Sequence, residues 1–207
     1  MTGRDEKAAG LVLAAGASIR MGKPKQLLPI LGETLLGRVL NESLKSDLDR
    51  VVLVLGNWAE DIQAAIEEIL EHPKLWVIEN RQYELGISSS VIAGLSVIEG
   101  SHGHVMVLLA DMPHIDASLI NLLLRQYLTS GLPIGAVKIK NRRSHPVIFS
   151  RKMYPELHRL RGDTGARDLF QRYSDKVILV EPEGFYDDRD IDTPEDYVRF
   201  RKSLEVD

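Results

Sequence analysis

Residues 14 to 25 concentrate the groups needed to hold an anion. They read Ala14-Ala15-Gly16-Ala17-Ser18-Ile19-Arg20-Met21-Gly22-Lys23-Pro24-Lys25. Glycine and other small residues let a phosphate approach backbone N–H groups, and Arg20, Lys23 and Lys25 supply cations. Two familiar phosphate-binding templates do not fit. A P-loop places four residues between its glycines and then Lys-Ser/Thr. Here five residues separate Gly16 from Gly22, and Pro24 stands where a magnesium-binding hydroxyl would be. The dinucleotide fingerprint G-x-G-x-x-G fails because position 18 is serine. On residue types alone the loop is either an anion site of another kind or a solvated basic turn.

Carboxylates supply the second half of the chemistry. Asp111 directly follows the apolar run Val105–Leu109 and precedes Pro113. A carboxylate at the carboxyl end of a strand, facing a phosphate, needs a cation between them, and Mg2+ is held typically by one or two carboxylates plus substrate phosphates. Asp111 could instead cap the next helix, but Asp116 or Ser118 is better placed for that. Asp190 and Asp192 flank Ile191, so on an extended segment they point the same way with Ile191 inward. Thr193 or Asp192 could cap a helix beginning at Pro194. Gly86 with Ser88, Ser89 and Ser90 opens an apolar helical stripe, where serine serves as an N-cap or, with the free N–H groups, as a ligand contact. His102 and His104 form an H-x-H pair that reads as a solvated loop, since a zinc site needs further ligands.

These residues require a scaffold of alternating strands and helices. Leu11-Val12-Leu13, Val51–Leu55, Trp76–Ile78 and Val105–Leu109 are short apolar runs suited to strands covered on both faces. Helices are expected over Thr34–Leu44 and from about Ser118 to Leu128. Ile62, Ala65, Ile66, Ile69 and Leu70, and then Val91, Ile92, Leu95 and Ile98, fall at helical spacing. The pattern predicts βαβ units and a mostly parallel, right-handed sheet. After Pro133, strands are expected at Ile134–Val137, Val147–Phe149 and Val177–Val180. Short helices fit near Arg151–Leu160 and Thr164–Tyr173, and a last one over Pro194–Leu204. No linker divides residues 1–207, so one domain is expected.

The 207 residues contain no cysteine, which removes disulfides, cysteine-ligated zinc, iron–sulfur clusters and thiol nucleophiles. A formal net charge of -4 argues against a general nucleic-acid binder, which needs a basic face. The longest stretch without Asp, Glu, Lys or Arg is 14 residues, Leu85–Ile98, against about 20 needed to span a bilayer. Asp5 and Glu6, and the passage of the first apolar run into Arg20 and Lys25, argue against a secretory leader. No membrane association and a cytoplasmic location are therefore expected.

The string LAAGASIRMGKPKQLLPILGETLL resembles the signature of the MobA-like nucleotidyltransferases, and within them the molybdenum cofactor cytidylyltransferase (MocA-like) branch. The resemblance continues in order through Asn80 with Gly86–Ser90, Leu109-Ala110-Asp111-Met112-Pro113, Ser144-His145-Pro146-Val147, Gly162–Arg167 and Asp190–Asp196. It implies an α/β, three-layer Rossmann-like fold of the nucleotide-diphospho-sugar transferase type, with a mostly parallel sheet and helices on both faces. It also implies cytidylyl transfer from CTP to the terminal phosphate of molybdopterin, with release of pyrophosphate. By the same resemblance Ala14, Ala15, Gly16, Arg20, Lys25, Asn80, Gly86 and Ser90 bind the nucleotide, Arg20, Lys25 and Asp111 are catalytic, and Asp111 and Asp192 hold Mg2+. Asp190 is a neighbour of that pair. His145, Asp163 and Arg167 border the acceptor, and a recipient molybdoenzyme or its chaperone is the implied partner.

Relatives that transfer guanylyl groups have Ala-Gly-Gly where this chain has Ala14-Ala15-Gly16. The Ala15 methyl narrows the pocket and favours a pyrimidine, by about 1–3 kcal/mol at most for such a difference. Ser144 departs from a family glycine and would strain the turn if that position required positive φ. The alternatives are GTP as donor, another phosphorylated acceptor such as a sugar phosphate or methylerythritol phosphate, and a noncatalytic molybdopterin carrier.

Overall fold

The computed structural model describes residues 6–16, 24–30, 32–184 and 186–204. Its centre is β1 (Ala8–Leu13), flanked in parallel by β4 (Arg50–Leu55) and β6 (His104–Leu109). β5 (Leu75–Glu79) extends one edge in parallel with β4. On the other side, β8 (Arg142–Ser150) pairs antiparallel with both β6 and β7 (Ile134–Ile139), and β9 (Val177–Val180) closes the edge parallel to β7. The order is β5-β4-β1-β6-β8-β7-β9, with β8 the single reversed strand. A small antiparallel pair, β2 (Pro29–Ile30) and β3 (Glu33–Thr34), lies apart.

Alternation along the buried strands divides the core into two layers. Val12 of β1 and Val51, Leu53 and Leu55 of β4 face one side, against α1 (Leu35–Lys45), α2 (Ala59–Ala65) and α5 (Ala117–Ser130). Ala9, Leu11 and Leu13, with Val52 and Val54, face the other, against α4 (Ile87–Ile98), α6 (Tyr154–Leu157) and α7 (Arg167–Arg172). The expected three-layer α/β fold is therefore present, and the central strands are apolar throughout because both faces are covered. Gly10 is required by this packing, since a Cβ there would stand 2.8 Å from Leu48 Cδ1.

Some helices depart from the sequence reading. The stripe from Ile62 to Leu70 is split into α2 and α3 (Glu67–Leu70), because Ile66 leaves helical geometry while its side chain stays buried. The same apolar positions reach the core through a break, which periodicity cannot distinguish from a straight helix. The helix expected near Arg151–Leu160 is only α6 preceded by a 3-10 turn, and positive φ at Gly165 delays α7 to Arg167. Among the described residues, no helix is long and apolar enough to cross a membrane.

α8 (Pro194–Leu204) is fixed by a reciprocal cap. Thr193 Oγ1 accepts from Asp196 N at 3.2 Å, and Asp196 Oδ2 accepts from Thr193 N at 3.0 Å. Just before it, Ile191 is 1% exposed and packs with Leu28, Ile30, Leu35 and Phe200 in a satellite cluster. Truncating it leaves a cavity in a small cluster. Ile191→Ala is expected to lower unfolding free energy by about 2–4 kcal/mol, and Ile191→Val by about 1 kcal/mol. Urea denaturation of the two variants checks this, and equal small losses would show that the segment is not anchored there.

Candidate active site

The segment Ala14–Gly16 after β1 is held by hydrogen bonds to its backbone. Ala14 N donates to Val54 O at 2.9 Å. Gln26 is 2% exposed, and its Nε2 donates to Ala14 O at 2.9 Å and to Gly16 O at 3.3 Å. The amide thus fixes the backbone of Ala14–Gly16 from behind. Gly56 completes the support: a Cβ there would lie 2.8 Å from the Ala15 Cβ. Nothing in the sequence marks Gln26 as buried or pairs Gly56 with Ala15, and both escape sequence reasoning. Ala17, Ser18, Arg20, Gly22 and Lys23 lie outside the described residues, so the roles expected of Arg20 rest on the sequence alone.

The predicted metal ligands meet. Lys25 Nζ donates to Asp111 Oδ2 and to Asp192 Oδ1, each at 2.7 Å. Asp111 sits on the turn after β6, and its carbonyl accepts from Ile191 N at 3.0 Å. That backbone bond, with Ile191 pointing into its cluster, turns Asp190 and Asp192 toward Asp111. Ligand atoms of all three carboxylates lie within 4.8 Å of one another, so Asp190 joins the group. Among the described residues this is the sole such group of potential ligands. Asp111 is not a helix cap, since Asp116 Oδ1 accepts from Leu119 N at 2.8 Å and caps α5. Asp192 is likewise not the cap of α8, because Thr193 is.

The charges respond to this crowding. Burial works against the Lys25 ammonium, but Asp111 and Asp192 outweigh it and hold its pKa above the usual lysine value. Asp190 is pushed above the usual carboxylate range, first by loss of surrounding water and then by the charges of Asp111 and Asp192. Asp111 Oδ1 is buried and has no hydrogen-bond partner among the described residues. Three hard oxygen donors with one buried oxygen unsatisfied suit a divalent cation such as Mg2+ or Mn2+.

Two cavities open beside this cluster. One of about 560 Å³ is walled by Ala14, Ala15, Gly16, Lys25, Gly86, Ser90 and Asp111, with Tyr83, Glu84 and Gln26 added by the structure. The other, about 330 Å³, is walled by His145, Arg167 and Asp190, with Arg142 and Arg143 added. Asp163, Ile87 and Leu109 line both. Asn80 stands behind the wall. Its Nδ2 donates to Ser89 Oγ at 2.8 Å and Ser90 Oγ at 3.0 Å, and its Oδ1 accepts from Gln82 N. Asn80 therefore orients Ser90.

None of the three serines caps α4. Ser88 Oγ donates to Gly162 O at 2.7 Å, and Ser89 Oγ donates to Gly86 O at 2.8 Å. The first N–H of the helix, on Ile87, is instead taken by Asp163 Oδ1 at 3.1 Å. The Gly162–Asp163 loop is thereby latched onto the helix that borders both cavities. Gly86 allows it, with φ +92° and a virtual Cβ only 2.5 Å from Gly162 C.

On the second cavity, the Arg143 guanidinium lies 3.9 Å over the Phe170 ring. Neither Arg143 nor Arg167 has a carboxylate partner among the described residues, and burial followed by the nearby Arg167 lowers the Arg143 pKa. An anion is what such a pair lacks. The basic pair Arg142–Arg143 beside Ser144 was a readable signal. Ser144 has no positive φ, so serine there does not strain the backbone. His145 Nδ1 is buried without a partner among the described residues, and burial holds the imidazole pKa below its usual value. The H-x-H pair is not a solvated loop: His102 is buried, and the His104 ring packs edge-on against Tyr127 with Nδ1 2.9 Å from its hydroxyl.

The domain family described as MobA-like NTP transferase matches residues 10–177. The chain belongs to that family. Purine catabolism protein PucB of Bacillus subtilis is 32% identical, over 94% of this chain and 96% of its own length. Nicotine blue oxidoreductase of Paenarthrobacter nicotinovorans is 29% identical (92% and 94%), and a probable molybdenum cofactor guanylyltransferase of Bacillus anthracis is 28% identical (96% and 98%). A Mycobacterium tuberculosis protein crystallised with manganese superposes with a TM-score of 0.77 at 29% identity, covering 95% of this chain and 99% of that one. This nucleotidyltransferase family and a mostly parallel sheet with helices on both faces are thus established together.

Two outcomes follow from the geometry. Gly86→Ala is expected to unlatch the Gly162–Asp163 loop, seen as protease cleavage in residues 160–166 at least about tenfold faster than in the wild type, since opening free energy sets such rates. Unchanged cleavage would deny the latch. Because burial lowers the His145 pKa in the fold, the unfolded chain takes up the proton first as pH falls through about 6.5, and stability is lost below that pH. His102 and His114, also lowered by burial, act in the same direction. His145→Gln should therefore lose less stability than the wild type between pH 7 and pH 5, as read by urea unfolding at each pH.

Proposed function

We propose that this protein transfers a cytidylyl group from CTP to the terminal phosphate of molybdopterin and releases pyrophosphate. The observation that carries this reading is the meeting of Asp111, Asp190 and Asp192 with Lys25 at the border of two cavities. The cavity beneath the β1 loop takes the nucleotide. Gln26 holds the Ala14–Gly16 backbone in place, and Ser90, oriented by Asn80, offers a hydroxyl to the base or ribose. Lys25 and Arg20 bind the triphosphate.

The second cavity takes the acceptor. Its apolar floor, with Val107, Val147 and Phe149, suits a ring system, and Arg143 and Arg167 suit its phosphate. An acceptor phosphate oxygen attacks the α-phosphorus, the new P–O bond forms, and the α–β bridge oxygen leaves with its electron pair on pyrophosphate. A phosphate monoester has a second pKa near 6 and is largely ionised at neutral pH, so the nucleophile needs no general base. That agrees with the buried His145, which burial keeps neutral. Asp111 and Asp192, with Asp190 beside them, would hold Mg2+, which supplies neutralising charge to the phosphates when bound. The protein's own part is alignment and charge stabilisation. A cytoplasmic location and hand-over to a molybdoenzyme or its chaperone belong to the same reading.

Donor choice has a second reading, favoured by the guanylyltransferase relative at 28% identity. The Ala15 methyl, packed against Gly56, supports CTP. Pyrophosphate release with purified molybdopterin, Mg2+ and each nucleoside triphosphate separates the two. CTP is expected to be preferred, and Ala15→Gly should narrow the CTP-to-GTP ratio. A wild type that prefers GTP would overturn the cytidylyl assignment. Asp111→Asn should fold normally yet lose about 10²–10³-fold in kcat. A noncatalytic carrier would bind molybdopterin with no turnover to lose, and a redox Rossmann protein would bind NAD(H).

A further inference from the structure

Lys25 occupies the place where a cation is required. Its ammonium lies 2.7 Å from an oxygen of Asp111 and 2.7 Å from an oxygen of Asp192, two residues 86 and 167 positions away in sequence. The bridge is partly enclosed, with the Lys25, Asp111 and Asp192 side chains 14%, 20% and 31% exposed. Without a positive charge there, three carboxylates within 4.8 Å repel one another, although the Ile191 N–Asp111 O bond fixes the segments that carry them. The lysine offsets that repulsion while no metal is bound. It is also an obstruction, because a divalent ion coordinated by those two oxygens and an ammonium bonded to both cannot share the space between them.

The same side chain has a second place to go. Lys25 lines the 560 Å³ cavity beneath the β1 loop, and its base is fixed in a short 3-10 turn at Lys25–Leu27 whose Gln26 is bonded to the loop backbone. Its flexible stem therefore swings from a fixed point between the carboxylates and an anion in the cavity. We propose that Lys25 is a resident stand-in for the divalent cation, holding Asp111 and Asp192 in ligating positions until a nucleoside triphosphate draws the ammonium away and lets the metal in. Metal and nucleotide then bind as a coupled pair, and by linkage each strengthens the other by the same factor. This rests on the reading that the aspartates take a divalent cation.

The test is Mn2+ binding in the absence of nucleotide, followed by the paramagnetic signal of free Mn2+. Lys25→Met is expected to bind Mn2+ about tenfold or more tightly than the wild type, within the usual span of such couplings. Lys25→Arg should restore weak binding, because a guanidinium keeps the bridge. Lys45→Met, an equal change of net charge at an exposed lysine, should leave the affinity unchanged. Equal affinities in wild type and Lys25→Met, or a rise in Lys45→Met as large as in Lys25→Met, would overturn the stand-in role while leaving the metal site intact. No Mn2+ binding by any variant, with or without CTP, would overturn both readings. Should Lys25→Met not fold, the wild type decides: its Lys25 Nζ resonance should move on adding CTP in metal-free buffer, and an unmoved signal would refute the proposal.

Discussion

The site depends on one backbone hydrogen bond and the side chain beside it. Ile191 N donates to the carbonyl of Asp111, and the Ile191 side chain fills a cluster of Leu28, Ile30, Leu35 and Phe200. The first fixes the separation of two segments remote in sequence, and the second fixes which way the later segment faces. Period-two alternation then leaves Asp190 and Asp192 no choice but the side of Asp111. A cluster of three carboxylates is unfavourable in itself, so burial of apolar surface next to it has to offset that repulsion. Lys25 supplies the remaining compensation.

A second constraint joins the two cavities. The helix bearing the serines has its first N–H satisfied by Asp163, from the loop that also walls the second cavity. Gly86 is the residue that makes this approach sterically possible. The two cavities thus share a wall that is one hydrogen-bonded unit, and on the proposed reading the reacting phosphates would meet where that wall adjoins the aspartates. Rigid placement of this kind is the main source of rate available to an enzyme whose nucleophile is already ionised.

Much of this was legible in the sequence because the central strands are covered on both faces. Continuous apolar runs such as Val51–Leu55 identify such strands, and their carboxyl ends locate the site. The alternation around Ile191 was readable for the same reason, as was Asp116 as a cap. Other features depend on contacts between distant residues and leave no local pattern. Gln26 looks like any polar residue ahead of two leucines, yet its amide supports the β1 loop. Asn80 belongs with the serines, and its amide is bonded to Ser89 and Ser90. Lys25 was readable as a cation, while its two carboxylate partners lie 86 and 167 positions away. Helical periodicity also failed at Ile66, where apolar spacing is kept through a break in the helix.

The central claim is that Asp111 and Asp192 converge in order to hold a divalent cation on a nucleotide. Anomalous scattering from a crystal grown with Mn2+ and CTP addresses it most directly. The account predicts a manganese peak coordinated by oxygens of both aspartates and of the triphosphate, with the Lys25 ammonium withdrawn to the phosphates. A peak elsewhere, or CTP bound with Lys25 still bridging the two carboxylates, would contradict it.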